Sequence, residues 1–344
     1  MTQAIACSQI LRSQGHEITR VLMGSSKRRR MPDFFRDEIG APVTNFESPN
    51  FILDKNNRAI RIWPTILHNL IHGRKFIGSV RNIRKLLERE KPDIVFNFYD
   101  ILCGLAHFGY KKKYKLFGVG HQFLAGHRQF DFSPGHLRDR FFFRFNNFIT
   151  GYGSDAFIAL SFRPYQPEVQ GKIRVTPPLI RKEALQKQPV EDNFILAYMV
   201  NDGYAEELIN WHRQNPGETI HCFWDRKDAS DTYMPHENLT FHRLNGPLFI
   251  DMMSRCKGLV STSGFESVCE AMIMGKPVMM IPVANQYEQA CNAIDARVSG
   301  AGIEGSDFDL TNFLTYIKTY NSTRERMLQW VNSMDKVMED LMEE

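Results

Sequence analysis

The stretch Ser261-Thr-Ser-Gly-Phe-Glu-Ser-Val-Cys-Glu-Ala-Met-Ile-Met-Gly-Lys-Pro-Val-Met-Met-Ile-Pro282, continued by Asn285-Gln-Tyr-Glu-Gln-Ala-Cys-Asn-Ala293, decides how the rest of the chain is read. An apolar strand, Gly258 to Ser261, runs through a turn of small polar residues into a helix over 265–274. Gly275-Lys-Pro277 stops that helix, and a second strand, Val278 to Pro282, feeds a helix over 286–298. Gly264 lets a ligand approach the backbone, and the helix opening at Phe265 offers unpaired N–H groups and a partial positive charge, which suit a diphosphate. About one and two-thirds turns further on, the Glu270 carboxylate suits a ribose diol. Glu288, Gln289 and Asn292 suit the hydroxyls of a sugar. Ser263-Gly264 alone would fit any strand-to-helix turn. The ordered set of phosphate donors, ribose acceptor and sugar-reading groups is what points to a nucleotide sugar.

Working outward, strands over 194–200, 219–223, 258–261 and 278–282 alternate with helices over 203–214, 247–255, 265–274 and 286–298. An earlier run alternates in the same way. It has a helix at Ala4 to Ser13, a strand at Ile18 to Met23, and a long basic helix after Pro64 reaching Arg89. Strands at Ile94 to Phe98, Lys115 to Val119 and Ala156 to Leu160 follow. Two such runs predict α/β architecture with parallel sheets, arranged as two facing Rossmann-like domains with a cleft between them. The expected boundaries are 1–175 for the first domain, 176–192 for a Pro-containing connector, 193–321 for the second, and 322–344 for a C-terminal helix that crosses back. Asn201 and Gly203, after the first strand of the second domain, line a loop facing the diphosphate. Arg243 and Leu244 mark where a nucleobase would lie.

The first run opens on a helix, whereas the first strand of a doubly wound sheet is normally central. A strand upstream of Met1 is therefore expected. His121 and Gln122 follow the strand Lys115 to Val119, at the edge where open sheets bind ligands. His121 is the candidate general base for an acceptor hydroxyl, with a hydrogen-bonded loop histidine as the equal alternative. Asp100 either orients an acceptor or, preferably, caps the helix starting near Ile101.

Residues 1–150 carry a net charge of +13 and residues 151–344 a net charge of −9. The basic half suits phosphates or an anionic membrane surface, or is simply a solvated face. Lys27-Arg-Arg-Arg30 and Lys111-Lys-Lys-Tyr-Lys115, with Phe34-Phe35 and Phe145, fit peripheral contact with a membrane or a lipid-linked acceptor. Phe141 to Phe143 are read as core. No nucleic-acid motif accompanies the cations, so nucleic acid is an unlikely partner. No run of 18 apolar residues and no signal-peptide layout is present, and the six cysteines are scattered, so a cytoplasmic protein with reduced core thiols is expected. Asp225, Asp228 and Asp231 read as turn residues, and no metal or other cofactor is expected.

The run 255–303 resembles the donor-binding signature of GT-B glycosyltransferases, especially the family 28-like enzymes that include the N-acetylglucosaminyl transferase of peptidoglycan lipid-intermediate synthesis. The resemblance implies that Glu270 binds ribose, that Ser263 and Gly264 form the diphosphate turn, and that Gln289 and Asn292 contact the sugar. Glu288 departs from the family's amide, which leaves the donor sugar open. The opening, Met1-Thr-Gln-Ala-Ile-Ala6 with Leu11 and Gly15-His16-Glu17, is similar to the helix after the family's glycine-rich acceptor loop, whose histidine would precede Met1. The reading is therefore a metal-independent transferase moving a hexose or N-acetylhexosamine from a UDP-sugar to an unidentified acceptor. The rivals are a non-hydrolysing UDP-sugar epimerase and a non-catalytic sugar-nucleotide-binding protein.

Overall fold

A computed structural model describes the chain except residues 26–30, 32, 50, 51, 53, 56–60, 136, 167–170, 227–229 and 344. The basic run 27–30 and Asp228 lie outside the described residues, as does the side chain of Phe34.

The N-terminal half begins with α1 (Thr2–Ser13), then β1 (Val21–Ser25), α2 (Asp33–Ile39) and β2 (Val43–Glu47). Two helices, α3 (Ile62–Ile71) and α4 (Gly73–Glu90), stand where one long helix was expected, because the chain breaks at His72-Gly73. After them come β3 (Ile94–Asn97), α5 (Ile101–His107), β4 (Lys115–Val119), α6 (Leu137–Thr150), β5 (Ala156–Leu160) and β6 (Ile173–Thr176). Strands β3 to β6 form a four-stranded parallel sheet in chain order, while β1 and β2 form a separate parallel pair. Among the described residues no strand joins β1 to β3. Side chains join them instead, with Leu22 and Phe46 packing beside Val95 around buried Ile83, Leu87 and Leu102.

The connector is not extended throughout. It holds the short helix α7 (Lys182–Gln186), and Leu179 and Ile180 are buried in the main core. The C-terminal half then runs β7 (Ile195–Met199), α8 (Ala205–Gln214), β8 (Ile220–Trp224), β9 (Thr232–His236), β10 (Leu239–Arg243), α9 (Gly246–Arg255), β11 (Gly258–Thr262), α10 (Phe265–Ile273), β12 (Val278–Ile281), α11 (Tyr287–Val298), β13 (Gly302–Glu304) and α12 (Thr311–Ile317). Its seven strands lie in the order β13-β12-β11-β7-β8-β10-β9, parallel except for the β9 edge. The first strand, β7, is central. The chain winds outward from it on one side through β8 and returns on the other through β11, so a topological switch point lies at the C-terminal ends of β7 and β11.

The expected single C-terminal helix is two, α13 (Arg324–Asn332) and α14 (Met334–Glu343). The bend falls at Ser333, whose Oγ donates to the Trp330 carbonyl at 2.8 Å, a local bond that competes with the helix ladder. Both helices reach the first half. Met338 and Leu341 share a buried cluster with Ala6, Cys7 and Leu11, and Trp330 Nε1 donates to the Ser161 carbonyl.

One expectation about the core fails on α6. Phe143 is buried, but Phe141 is 64% and Phe142 55% exposed. With 3.6 residues per turn, Leu137, Phe141, Phe145 and Phe148 form one stripe opposite Phe143, and that stripe faces away from the fold.

Candidate active site

The switch point gives α10 its place. All five residues of β11 are buried, so the strand is fixed on both faces and its end at Thr262 is a rigid platform. The first-turn amides of an α-helix have no intrahelical partners, and Gly264 supplies no capping side chain to those of α10. Ser263 is 1% exposed and its Oγ has no hydrogen-bond partner, and neither has the Thr262 Oγ1. Buried orphan hydroxyls are rare, and here they sit beside an uncapped, positively poled helix end. A Cβ on Gly264 would meet only the Thr262 carbonyl and Ser267 Oγ, at 3.5 and 3.8 Å. The fold itself therefore tolerates a side chain there, and the glycine leaves the tip open. Asn201 follows β7 across the same switch point and is buried.

Glu270 is 3% exposed, on the same helix. Both its oxygens are engaged: Arg181 Nε donates to Oε1 at 2.6 Å and Nη2 to Oε2 at 2.7 Å. Burial pushes the Glu270 carboxyl up from its ordinary value, opposed by the hydrogen bonds and charge of Arg181. The start of α9 comes close as well, since a Cβ on Gly246 would stand 3.6 Å from Arg181 Nη1.

The two halves meet along α10 and α11. The Thr2 hydroxyl donates to the Glu266 carboxylate, and Gln122 Nε2 donates to Glu288 Oε1 at 2.9 Å. His121 stacks on Phe265 with ring centroids 4.3 Å apart. This histidine does not stand open at a sheet edge. It is 3% exposed, walled by Phe130, Phe162 and Phe265, with Nδ1 at 2.8 Å from the Leu160 carbonyl. Its Nε2 lies 3.9 Å from Asp295 Oδ2 and makes no hydrogen bond. Burial pushes His121 below the ordinary imidazole value, against the opposing pull of Asp295 and the Leu160 carbonyl. Asp295 in turn accepts from the Tyr165 hydroxyl at 2.7 Å.

Other expected residues have partners in the fold. Gln289 Oε1 accepts from the Val283 amide at 2.8 Å, and Asn292 Nδ2 donates to the Ser263 carbonyl at 3.3 Å, so one end of each side-chain amide is anchored to backbone. Asp100 is the N-cap of α5, accepting from the Leu102 and Cys103 amides. Arg243 and Leu244 are exposed at the end of β10, separated from β7 by β8, and Arg243 pairs with Asp231. The structure thus brings Ser263, Gly264, Phe265 and Glu270 onto one helix start with Asn201 across the switch point, and joins His121 to Phe265 and Gln122 to Glu288 across the interdomain contact.

Sequence reasoning missed Arg181 and Asp295. Arg181 carried a signal, as the first charge after the apolar run Pro177-Pro-Leu-Ile180, although Lys182 beside it gives the same signal. Asp295 stands one turn beyond Asn292 on the same helix, so helical period would have found it.

A family model described as glycosyl transferase family 1 matches residues 9–320. The chain belongs to glycosyl transferase family 1. It is also similar to the UDP-N-acetylglucosamine--N-acetylmuramyl-(pentapeptide) pyrophosphoryl-undecaprenol N-acetylglucosamine transferase of Bartonella henselae, at 34% identity over 84 residues. That match spans 23% of this chain and only 22% of the relative's length. Among solved structures, the glycotransferase of kitacinnamycin matches with a TM-score of 0.60 at 16% identity, covering 99% of this chain and 94% of that one. MurG of Acinetobacter baumannii matches with a TM-score of 0.55 at 14% identity, covering 99% and 95%. The spinosyn forosaminyltransferase SpnP gives 0.58, 14%, 99% and 95% in the same terms. The fold is GT-B, with two Rossmann-like domains, as the paired strand-helix runs predict.

Proposed function

We propose that this family 1 chain transfers a hexose or N-acetylhexosamine from a UDP-sugar to an acceptor held by the N-terminal half. The observation that carries the reading is the α10 tip at the switch point: unpaired amides and an orphan Ser263 hydroxyl for the diphosphate, with Glu270 on the same helix for the ribose. The donor named in the Bartonella relative, UDP-N-acetylglucosamine, supports UDP as the carrier. Preorganised helix-tip donors stabilise the charge that develops on the departing diphosphate, and the reading needs no metal ion or other cofactor. His121 serves in this reading to brace Phe265, not to move a proton.

The acceptor is lipid-linked or anionic, and the protein works at the cytoplasmic face of a membrane. Supporting this is the outer face of α6, where Phe141 and Phe145 stack and Phe148 reaches Tyr152, which itself packs on exposed Phe108. Arg138, Arg140 and Arg144 flank the stripe, an arrangement that sets rings into acyl chains and cations at headgroups. Sedimentation with phosphatidylglycerol vesicles but not phosphatidylcholine vesicles is the expected result, and its loss in Phe141→Asp/Phe145→Asp checks the face. Among the described residues no helix is long and apolar enough to cross a membrane.

The donor reading is tested by a thermal-shift and calorimetric screen of nucleotide sugars. Wild type is expected to bind a UDP-sugar, and Glu270→Ala to lose that binding. Equal binding by both, or no binding of any nucleotide sugar by the wild type, overturns the reading. Conversion of the donor to its epimer without acceptor would give the epimerase instead.

A further inference from the structure

Arg181 occupies both oxygens of the carboxylate that the donor reading assigns to ribose. A vicinal diol binds a carboxylate with two donors in the same bidentate manner that a guanidinium uses. The two partners are therefore mutually exclusive at Glu270. What happens to Arg181 when ribose arrives is a question of charge. Its guanidinium is largely buried, with the side chain 19% exposed, and a buried cation stripped of its counter-ion is strongly disfavoured. Some other anion has to take the place of Glu270.

The backbone of Arg181 is fixed, because Leu179 and Ile180 are anchored in the core and Arg181 itself is the N-cap of α7. The long side chain alone can move. The Arg181 guanidinium also feels the charge of Glu266, one turn nearer the tip on α10, and of Glu183 on α7. That tip is about 9 Å from Glu270 along the helix axis, a span that a side chain three methylenes long and a carboxylate tilted N-terminally together bridge.

Resting on the donor reading, we propose that Arg181 is a placeholder and positioning residue: in the empty site it closes on Glu270, and a nucleoside diphosphate opens the pair by giving ribose to Glu270 and diphosphate to the guanidinium. The device makes the two halves of the donor cooperate. A nucleoside without phosphates must strand Arg181 to reach Glu270 and binds poorly, whereas the diphosphate supplies the replacement anion.

Calorimetry with UDP and with uridine on wild type, Arg181→Gln and Arg181→Lys tests this. Removing the cation is expected to tighten uridine and weaken UDP, so the ratio of their affinities falls by about tenfold or more. Arg181→Lys keeps a cation that cannot grip Glu270 bidentately, and is expected to tighten uridine while retaining UDP. If Arg181→Gln does not fold, the lysine variant carries the test through uridine alone. A change of the same factor for both ligands in the variants would make Arg181 a structural prop and overturn the placeholder, leaving the donor reading intact. Failure of wild type to bind either ligand would instead remove the donor reading, and the placeholder with it.

Discussion

The two halves of this chain use the same strand-helix alternation and arrive at different sheets. In the C-terminal half seven strands form one continuous sheet, with β7 in the middle and every residue of β11 buried. In the N-terminal half the strands divide into a pair and a set of four, bridged by side chains rather than by a ladder. The burial patterns follow: β7 and β11 are almost wholly buried, whereas β1 has one fully buried residue, Met23, and β2 none. A continuous ladder pairs β7 and β11 on both sides, so the strand ends at the switch point are fixed.

The sharpest way to break this comparison is to add a methyl group to each half. A Cβ on Gly302 would stand 1.8 Å from the Val278 carbonyl oxygen, within the β12–β13 pairing, so Gly302→Ala is expected to cost about 3 kcal/mol or more. A Cβ on Gly24 in β1 would meet only side chains, Asp100 Oδ2 at 2.7 Å and Ser48 at 2.9 Å. The Ser48 contact is its Cβ and Asp100 caps α5, so both give only with a small local shift, and Gly24→Ala is expected to cost about 2 kcal/mol, less than the backbone clash at Gly302. Chemical denaturation measures both, and equal costs would mean the N-terminal half is as rigid as its partner.

Helix α6 allows the same test on one element. Phe143→Ala removes a buried ring and is expected to cost about 3 kcal/mol, whereas Phe141→Ala on the outer face is expected to stay within about 0.5 kcal/mol of wild type. Hydrogen exchange gives a finer reading. Amides of β1 and β2 are expected to exchange well before those of β7 and β11, and equal protection would contradict the split.

The smallest effect is in the pH dependence of stability. Burial, with help from neighbouring His242, pushes His221 down to about 4, and burial lowers His107, His121, His212 and His242 from the ordinary value of 6.5. Between about pH 6.5 and 4 the unfolded chain therefore binds more protons than the folded one. Stability is full above 6.5 and declines as pH falls through that window. Thermal denaturation from pH 7.5 to 4.5 reads this, and a rise on acidification would contradict it.

Much of the C-terminal half was legible because its strands are apolar runs bounded by Gly and Pro, and because Gly264 and Gly275 punctuate α10. The start of α10 at Phe265 and the strand at Val278 fall where pattern puts them. Edge strands escaped: Thr232–His236 is half exposed and Gly302–Glu304 has three residues, too little for a period to register. The outward turn of α6 escaped because three consecutive phenylalanines look like core whichever way the helix is rotated. In the site, residue types suggested chemistry but not partners. Glu270 was found as an acceptor, yet nothing in the sequence near it indicates Arg181, which is brought to it by tertiary packing alone. His121, Gln289 and Asn292 likewise have side chains that backbone groups claim first, a competition visible only in three dimensions.

The measurement that bears most directly on the central claim is a crystal structure of the protein with UDP. The account expects the diphosphate against the first-turn amides of α10 and the Ser263 hydroxyl, with the ribose hydroxyls on Glu270. UDP bound elsewhere, or bound there with the Arg181–Glu270 pair intact and the ribose turned away from it, would contradict the account.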